Sequence, residues 1–232
     1  MAVGHVASVT FHGAAVTSAT SDAINTTDAT LLTVFWAGAD RSVTVTDSKG
    51  NTYSGWTTKW NGAAGVYMMA CYCENPTVGS GHTFTVTTTT MYAGVAASAF
   101  SGVKTSGAYH AQAGASQGYQ GYSIGSGSIT TIDSGALVVT GTGLHADNGT
   151  APTIDTGFAI VAHAAGLSGN YYGIDVAWLD KATAGAVAPT WSSSAANLSA
   201  SVMMDFAPTA TTAAPFIRER SHRTPNVGMR HG

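Results

Sequence analysis

The sequence predicts an all-β protein, an antiparallel β-sandwich of jelly-roll type with an extended C-terminal arm. Short segments in which apolar and polar residues alternate recur along the chain, as half-buried strands require. Residues 83–90 are β-branched at nearly every position, which disfavours helix. Glycine-rich turns separate these segments, and no helical period extends beyond about two turns. These observations are typical of a sandwich.

The predicted strands are short and number about a dozen. They cover residues 6–11, 31–36, 42–47, 51–60, 65–74, 82–90, 95–100, 129–132, 135–144, 157–163, 171–179, 187–191 and 198–206. Gly50 and Asn51 favour positive φ, so the strands on either side of this turn are predicted to form a hairpin. Residues 104–128 are rich in Gly, Ser, Gln and Tyr with little periodicity, and are predicted to be a long loop.

The chain of 232 residues is predicted to contain one folded domain, residues 1–206, followed by residues 207–232 as a Pro/Thr/Ala linker and a basic arm. A chain of this size buries a substantial core without disulfides or metals. Two domains divided near residue 105 are the alternative. Both halves are alike in composition, and a single domain is preferred.

Charged residues make up only 9% of the chain, against about 25% in an average soluble domain. The hydrophobic fraction of 44% excludes a disordered chain. A neutral polar surface receives little help from charge repulsion in staying monomeric, which favours a subunit packed against neighbours, and a homo-oligomer is predicted. Residues 1–215 hold five Lys/Arg and eleven Asp/Glu, whereas residues 216–232 hold four Arg and one Glu.

Cys71 and Cys73 lie two positions apart and therefore share one face of a strand, where they are predicted to be reduced apolar fillers. A zinc site would need a second pair of ligands at suitable spacing. The N-terminal residues lack the basic and apolar regions of a signal peptide, and no apolar run approaches the roughly 20 residues of a membrane helix. Synthesis in a cytoplasm and no membrane partner are predicted.

No catalytic arrangement is recognised among the eight histidines, which are scattered. His145 and Asp147 could share a face, but no Ser or Cys in a strained elbow accompanies them, and a structural role is expected. The acids are too sparse to suggest the carboxylate pair of a glycosidase, and no phosphate-binding glycine motif occurs. The chain is therefore predicted not to be an enzyme and to bind no metal or cofactor.

Carbohydrate binding is the better small-molecule alternative, because all-β modules bind sugars on exposed aromatic side chains. The candidates are Trp56, Trp60, Trp178, Trp191, Tyr171 and Tyr172. Core packing and cross-strand pairing are the competing explanation for these residues. Trp36 and Trp178 have apolar neighbours and are expected to be buried.

The C-terminal arm is the most informative segment, because arginines alternate there with apolar residues. Guanidinium groups form bidentate bonds with carboxylates. The predicted partner-binding residues are Phe216, Ile217, Arg218, Arg220, Arg223 and Arg230. A neighbouring protein surface that is acidic and partly apolar is the expected partner. Nucleic acid is not, because the rest of the chain is acidic. An arm that rests on its own domain is the alternative.

The order of motifs resembles a β-sandwich domain that recurs in bacteriophage virion proteins and some bacterial surface proteins. The motifs are a D-x-x-G-N-x-Y turn at Asp47–Tyr53, an [YF]-S-G-V strand end at Phe100–Val103 and a G-x-L-V strand at Gly135–Val138. The resemblance covers roughly residues 5–206. Ala99 stands where that pattern has an acidic residue, so a site that depends on the acid would be absent.

The resemblance implies a structural protein of the virion, made in the host cytoplasm, with no catalytic residues. We expect a capsid decoration (cement) or head-fibre subunit that binds other virion proteins, such as the major capsid protein or adjacent subunits. A receptor- or glycan-binding fibre or tail module is the alternative. A secreted bacterial adhesin would want an export signal.

Overall fold

The structure, a computed structural model, describes residues 2–61, 65–117, 121–145, 150–166 and 172–210. This part of the chain is built from antiparallel strands and contains no helix. The predicted all-β sandwich is confirmed. Its jelly-roll connectivity stays a prediction.

The first sheet is formed by residues 4–101. Its strands are β1 (Gly4–Thr20), β2 (Leu31–Gly38), β3 (Thr44–Asp47), β4 (Ser54–Asn61), β5 (Val66–Glu74) and β6 (Phe84–Ser101). Their order is β1-β6-β2-β5-β4, and β3 pairs with the N-terminal part of β6. The sheet curls because β1 and β6 are long and two register shifts interrupt β1 after Ala14.

The second sheet is formed by residues 109–206. The strands of this half are β7 (Tyr109–Ser116), β8 (Gly121–Gly125), β9 (Ile129–Thr131), β10 (Ala136–His145), β11 (Thr153–Ile154), β12 (Ala159–Ala164), β13 (Tyr172–Lys181), β14 (Gly185–Val187) and β15 (Thr190–Phe206). Their order is β11-β15-β10-β13-β12, with β7 and β8 also paired to β15. Strands β9 and β14 form a separate two-stranded sheet.

The main core lies between the two sheets and takes large side chains from both, among them Phe35, Met68, Phe100, Ile174 and Phe206. Burial of each such side chain stabilises the fold by about 1.5–3 kcal/mol. The outer face of the first sheet has its own cluster around Trp36. Two smaller clusters lie on the outer face of the second sheet. Each curled sheet therefore has a small core of its own as well as the shared one.

The predicted hairpin at residues 42–60 is wrong in its pairing. The turn after Asp47 exists, but β3 pairs with β6 and β4 pairs with β5. The Asp47 carboxylate holds the turn by accepting hydrogen bonds from the backbone N–H groups of Lys49 (2.9 Å) and Asn51 (3.1 Å). Because a side chain fixes the turn, the strands that leave it are free to pair elsewhere.

The predicted loop at residues 104–128 is also wrong, since it contains β7 and β8. Strand β7 is half-buried along both faces and carries small residues such as Ala111, Ala113 and Gly114. Its apolar and polar residues therefore do not alternate. Backbone pairing with β15 makes it a strand.

Two predictions about individual side chains are confirmed. Cys71 and Cys73 are free thiols that both lie in the cluster around Trp36. Trp36 is buried, and its indole N–H donates to the backbone carbonyl of Asp40 at 3.1 Å.

Candidate functional site

The partner-binding residues predicted in the arm, Phe216 to Arg230, lie outside the described residues. His145 is described and makes an edge contact with the ring of Tyr172, whereas Asp147 lies outside the described part. The C-terminal segment can be followed to Ala210. The candidate site is therefore the surface on which the first residues of the arm lie.

The start of the arm is fixed by backbone hydrogen bonds to the linker between the two sheets, residues 102–108. Ala207 donates to the Ala108 carbonyl at 2.7 Å and accepts from the Lys104 N–H at 3.0 Å. Thr209 donates to the Gly102 carbonyl at 2.7 Å, and Pro208 forms a bridge with Val103. These bonds set the point at which the arm leaves the sandwich.

The linker is in turn anchored by one carboxylate. Glu74, the last residue of β5, accepts hydrogen bonds from three successive backbone N–H groups, those of Gly107 (2.7 Å), Ala108 (2.8 Å) and Tyr109 (2.9 Å). Hydrogen bonds to a charged acceptor contribute more than neutral ones. The linker and the start of the arm therefore form one rigid surface.

A cleft of about 770 Å³ opens beside this surface. It is lined by the linker at Lys104 and Thr105, by the arm at Ala207–Ala210, by Ala2, and by the polar side chains of His110, Asp133, Ser134 and Asp180. Its wall thus contains the last described residues of the chain. Sequence inspection missed this cleft because its residues are far apart along the chain.

His110, on β7, lies between two carboxylates at the wall of the cleft. Its Nε2 is 3.5 Å from Oδ2 of Asp133, and its Nδ1 is 3.6 Å from Oδ2 of Asp205. The Asp205 side chain is fully buried, and this burial raises the pKa of its carboxyl, while His110 opposes the shift. One signal in the sequence could have revealed Asp205, namely a single acid within the apolar strand Val202–Phe206.

The chemistry of the cleft is that of a weakly acidic receptor. Asp133 and Asp180 are solvent-accessible carboxylates, which pair with guanidinium or ammonium groups. No group of three or more His, Cys, Asp or Glu side chains is arranged to hold a metal ion within the described ranges. The arrangement supports binding of a cationic segment.

A second His–Asp pair is structural. His82 and Asp47 are fully buried, with Nε2 and Oδ2 3.2 Å apart. His82 Nδ1 is bonded to Thr26 Oγ1 at 2.8 Å, and the Tyr53 hydroxyl donates to Asp47 at 2.8 Å. Because no solvent reaches this pair, it ties the 47–53 turn to the rest of the sheet.

A third pair lies between the edges of the two sheets. His163 Nδ1 is 2.7 Å from Oδ1 of the buried Asp175. A groove of about 170 Å³ is lined by His163 together with Ser8 and Thr10. The Ser8 hydroxyl is bonded to His5 Nε2 at 2.7 Å and donates to Ser98 at 2.9 Å. The hydroxyl in this groove is thus already engaged with β1 and β6.

The aromatic candidates for sugar binding are mostly unsuited to it. Trp191 and Tyr172 are buried, and Trp178 packs against the main core. Trp56 is 37% exposed, and Tyr122, which the sequence analysis did not single out, is 63% exposed. Tyr171 and the Trp60 side chain lie outside the described part.

Within the described ranges, no helix is long and apolar enough to cross a membrane. Comparison of the chain with protein family models, with curated proteins and with solved structures found no match.

Proposed function

We propose that this chain is a non-enzymatic attachment protein, a rigid β-sandwich that binds neighbouring protein surfaces through its basic C-terminal arm. In its specific form, the proposal is a bacteriophage virion protein, a capsid decoration or head-fibre subunit that acts as a homo-oligomer next to other virion proteins. The resemblance of the turn and strand motifs supports this specific form.

The observation that carries the proposal is the fixed exit of the arm. Backbone bonds from Ala207 and Thr209 to the linker hold the chain up to the rim of the acidic cleft. Beyond Ala210 follow four of the five arginines of the protein. A basic segment that starts from a defined point on an acidic body suits attachment to a second acidic surface.

The energetics of such attachment are those of several weak contacts held together. Each exposed Arg–carboxylate pair contributes at most about 1 kcal/mol and is screened by salt. Linkage of several contacts to one body raises the affinity because, after the first contact, the others form at high effective concentration. Charge-poor sandwich surfaces allow close packing of adjacent subunits without strong repulsion.

The localisation is tested with an antibody raised against the purified protein. Particles released from a host that carries the gene are examined by immunogold electron microscopy and by mass spectrometry after gradient purification. The proposal expects gold on intact particles and a fixed copy number per particle. Absence of the chain from purified particles would end the virion proposal.

The role of the arm is tested with particles that lack the protein. Full-length chain, a chain ending at Ala210, and a chain with Arg218, Arg220, Arg223 and Arg230 changed to Ser are added back, and occupancy is measured. A matched variant carries Lys at the four positions and keeps the charge. We expect both the shortened and the Ser chains to lose occupancy. Wild-type occupancy of the shortened chain would show that the arm is not the attachment element.

A receptor- or glycan-binding module is the second proposal. It is favoured only by the exposure of Trp56 and Tyr122. A glycan array probed with the full chain and with Trp56→Ala distinguishes it, since a hit that survives the substitution would not involve this side chain.

A further inference from the structure

We infer that the chain is a tandem duplication of a unit of roughly 100 residues, and that the face between the two sheets is a two-fold interface. Each half, residues 4–101 and 109–206, carries a surface whose partner is a second copy of the same unit. The linker at residues 102–108 joins the two copies covalently. This inference is independent of the proposed function.

The two sheets have the same strand order. Strands β1-β6-β2-β5-β4 of the first sheet correspond to β7-β15-β10-β13-β12 of the second. Strand β3 lies on β6 as β11 lies on β15, and β7 and β8 together follow β15 as the long β1 follows β6. The isolated bridge between Ile24 and His82 corresponds to the β9–β14 pair.

The pairing registers also correspond, residue by residue. Leu31 pairs with Glu74 on one side and Phe100 on the other. The same two ladders in the second sheet pair Leu137 with Asp180 and Phe206. The three equivalent pairs, Leu31/Leu137, Glu74/Asp180 and Phe100/Phe206, are each 106 positions apart.

A backbone irregularity is repeated at the same place. In the first sheet the register shifts between His5 and Ala7, opposite Phe100 and Ala99. In the second it shifts between Tyr109 and Ala111, opposite Phe206 and Asp205. A β-bulge at one register position is a specific feature of a fold. Two independent sheets have no physical reason to share it.

Contacts between the halves are reciprocal, as a two-fold interface requires. The ring of Phe100 lies 6.0 Å from that of Trp178, and the ring of Phe206 lies 5.1 Å from that of Tyr72. Trp178 and Tyr72 are again 106 positions apart. At the level of strands, β1 contacts β12 just as β7 contacts β4.

The axis of the interface passes near Phe35 and Gly141, which are 106 positions apart and face each other. A Cβ atom on Gly141 would lie 2.6 Å from Cδ1 of Phe35. The next pair along these strands, Ala37 and Gly143, is equally close, since a Cβ atom on Gly143 would lie 2.7 Å from that of Ala37. Near a two-fold axis a position meets its own equivalent, so two large side chains cannot both fit. One large and one absent side chain solve the conflict.

The inference is tested by exchange of residues across the axis in the full chain. Phe35→Gly leaves a cavity, and Gly141→Phe forces two rings into one space, so each single variant should lose on the order of 10 °C in Tm. If the two positions are equivalent, the double variant returns the ring to the same volume from the opposite sheet. We expect its Tm to exceed that of both single variants.

A gentler exchange keeps the test decisive if the large variants fail to fold. Gly143→Ala places a methyl group against Ala37, and addition of Ala37→Gly removes the clash. The Tm of this double variant should exceed that of Gly143→Ala. A Tm at or below that of the worse single variant, in both exchanges, would overturn the two-fold interface.

The matched control is a pair that faces across the core away from the axis. A Cβ atom on Gly94 would lie 3.0 Å from Cγ2 of Ile174. The equivalents of these residues are Ala200 and Met68, so exchange does not return the side chain to an equivalent environment. Gly94→Ile with Ile174→Gly should show no recovery. Equal recovery here and at the axis would show volume compensation without symmetry.

Discussion

His82 Nε2 lies 3.2 Å from Oδ2 of Asp47, and neither side chain is exposed. Asp47 also accepts from Asn51 Nδ2 at 2.8 Å and from the Tyr53 hydroxyl, so one carboxylate serves as acceptor for a whole turn. A buried acceptor with this many donors is costly to remove, because each donor is left without a partner.

Replacement of that acceptor should destabilise the first sheet strongly. Asp47→Asn puts an NH₂ group among donors and removes the charge, and we expect a loss of about 3 kcal/mol in the free energy of unfolding. Urea denaturation measures it. The matched change at the exposed Asp22, Asp22→Asn, should alter stability by less than about 0.5 kcal/mol. Similar small losses for both variants would contradict the role of Asp47.

The protein should lose stability in acid through Asp40 and Asp47. Burial opposes ionisation of both, but hydrogen bonds prevail and lower the pKa of each carboxyl. The donors to Asp40 include the Thr88 hydroxyl and the Ser42 backbone N–H. Because the folded pKa lies below the unfolded value of about 3.9, the stabilisation is complete above about pH 4 and is lost as the pH falls through the folded values. Tm measured from pH 6 to pH 2 should fall less steeply in Asp47→Asn.

Asp205 should act in the opposite direction. Burial raises the pKa of its carboxyl, so the folded state keeps a proton that the unfolded state has lost. Stability therefore decreases as the pH rises from about 4 through the folded pKa. Asp205→Asn should remove this decrease, which Tm measurements between pH 4 and pH 7 would reveal. An unchanged slope would mean that Asp205 is ionised throughout this range.

The anchor of the linker should be transferable between the two halves. Glu74→Gln loses the charged acceptor of three N–H groups and should cost about 2 kcal/mol. Asp180 occupies the equivalent register position but is one methylene shorter. If the duplication holds, Asp180→Glu should reach the start of β1 and add up to about 1 kcal/mol. Asp133→Glu, on the same cleft, is the control and should add nothing in urea denaturation.

Both cysteines should be unreactive in the folded protein. Burial raises the pKa of the Cys71 and Cys73 thiols, and the thiolate is the reactive form. Iodoacetamide at pH 8 should leave both unmodified in buffer and modify both in denaturant, as mass spectrometry can show. Rapid labelling of Cys73 without denaturant would indicate local opening of β5.

Local patterns predicted the elements whose two faces differ in polarity or are both apolar. Strand β2 was predicted at 31–36 because its residues are buried on both faces, and Trp36 was expected inside. The paired cysteines were assigned to one apolar face for the same reason. In these elements the side chains alone report their surroundings.

Long-range relationships were not predictable from the same patterns. His110 and Asp205 are 95 positions apart, and only the β7–β15 pairing brings them together. The pairing of β3 with β6 instead of β4 depends on the curl of the sheet. The similar composition of the two halves was recognised, but the duplication was not, because facing positions such as Phe35 and Gly141 have diverged.

The covalent linker changes what a two-fold body can become. Two identical, separate units would carry every surface twice, and each would depend on the concentration of its partner. In this chain the segment after β6 continues into β7, whereas the segment after β15 leads away from the sandwich at Ala210. The molecule thus has a direction, with a single outgoing strand, and a directional body can join its neighbours head to tail as well as face to face.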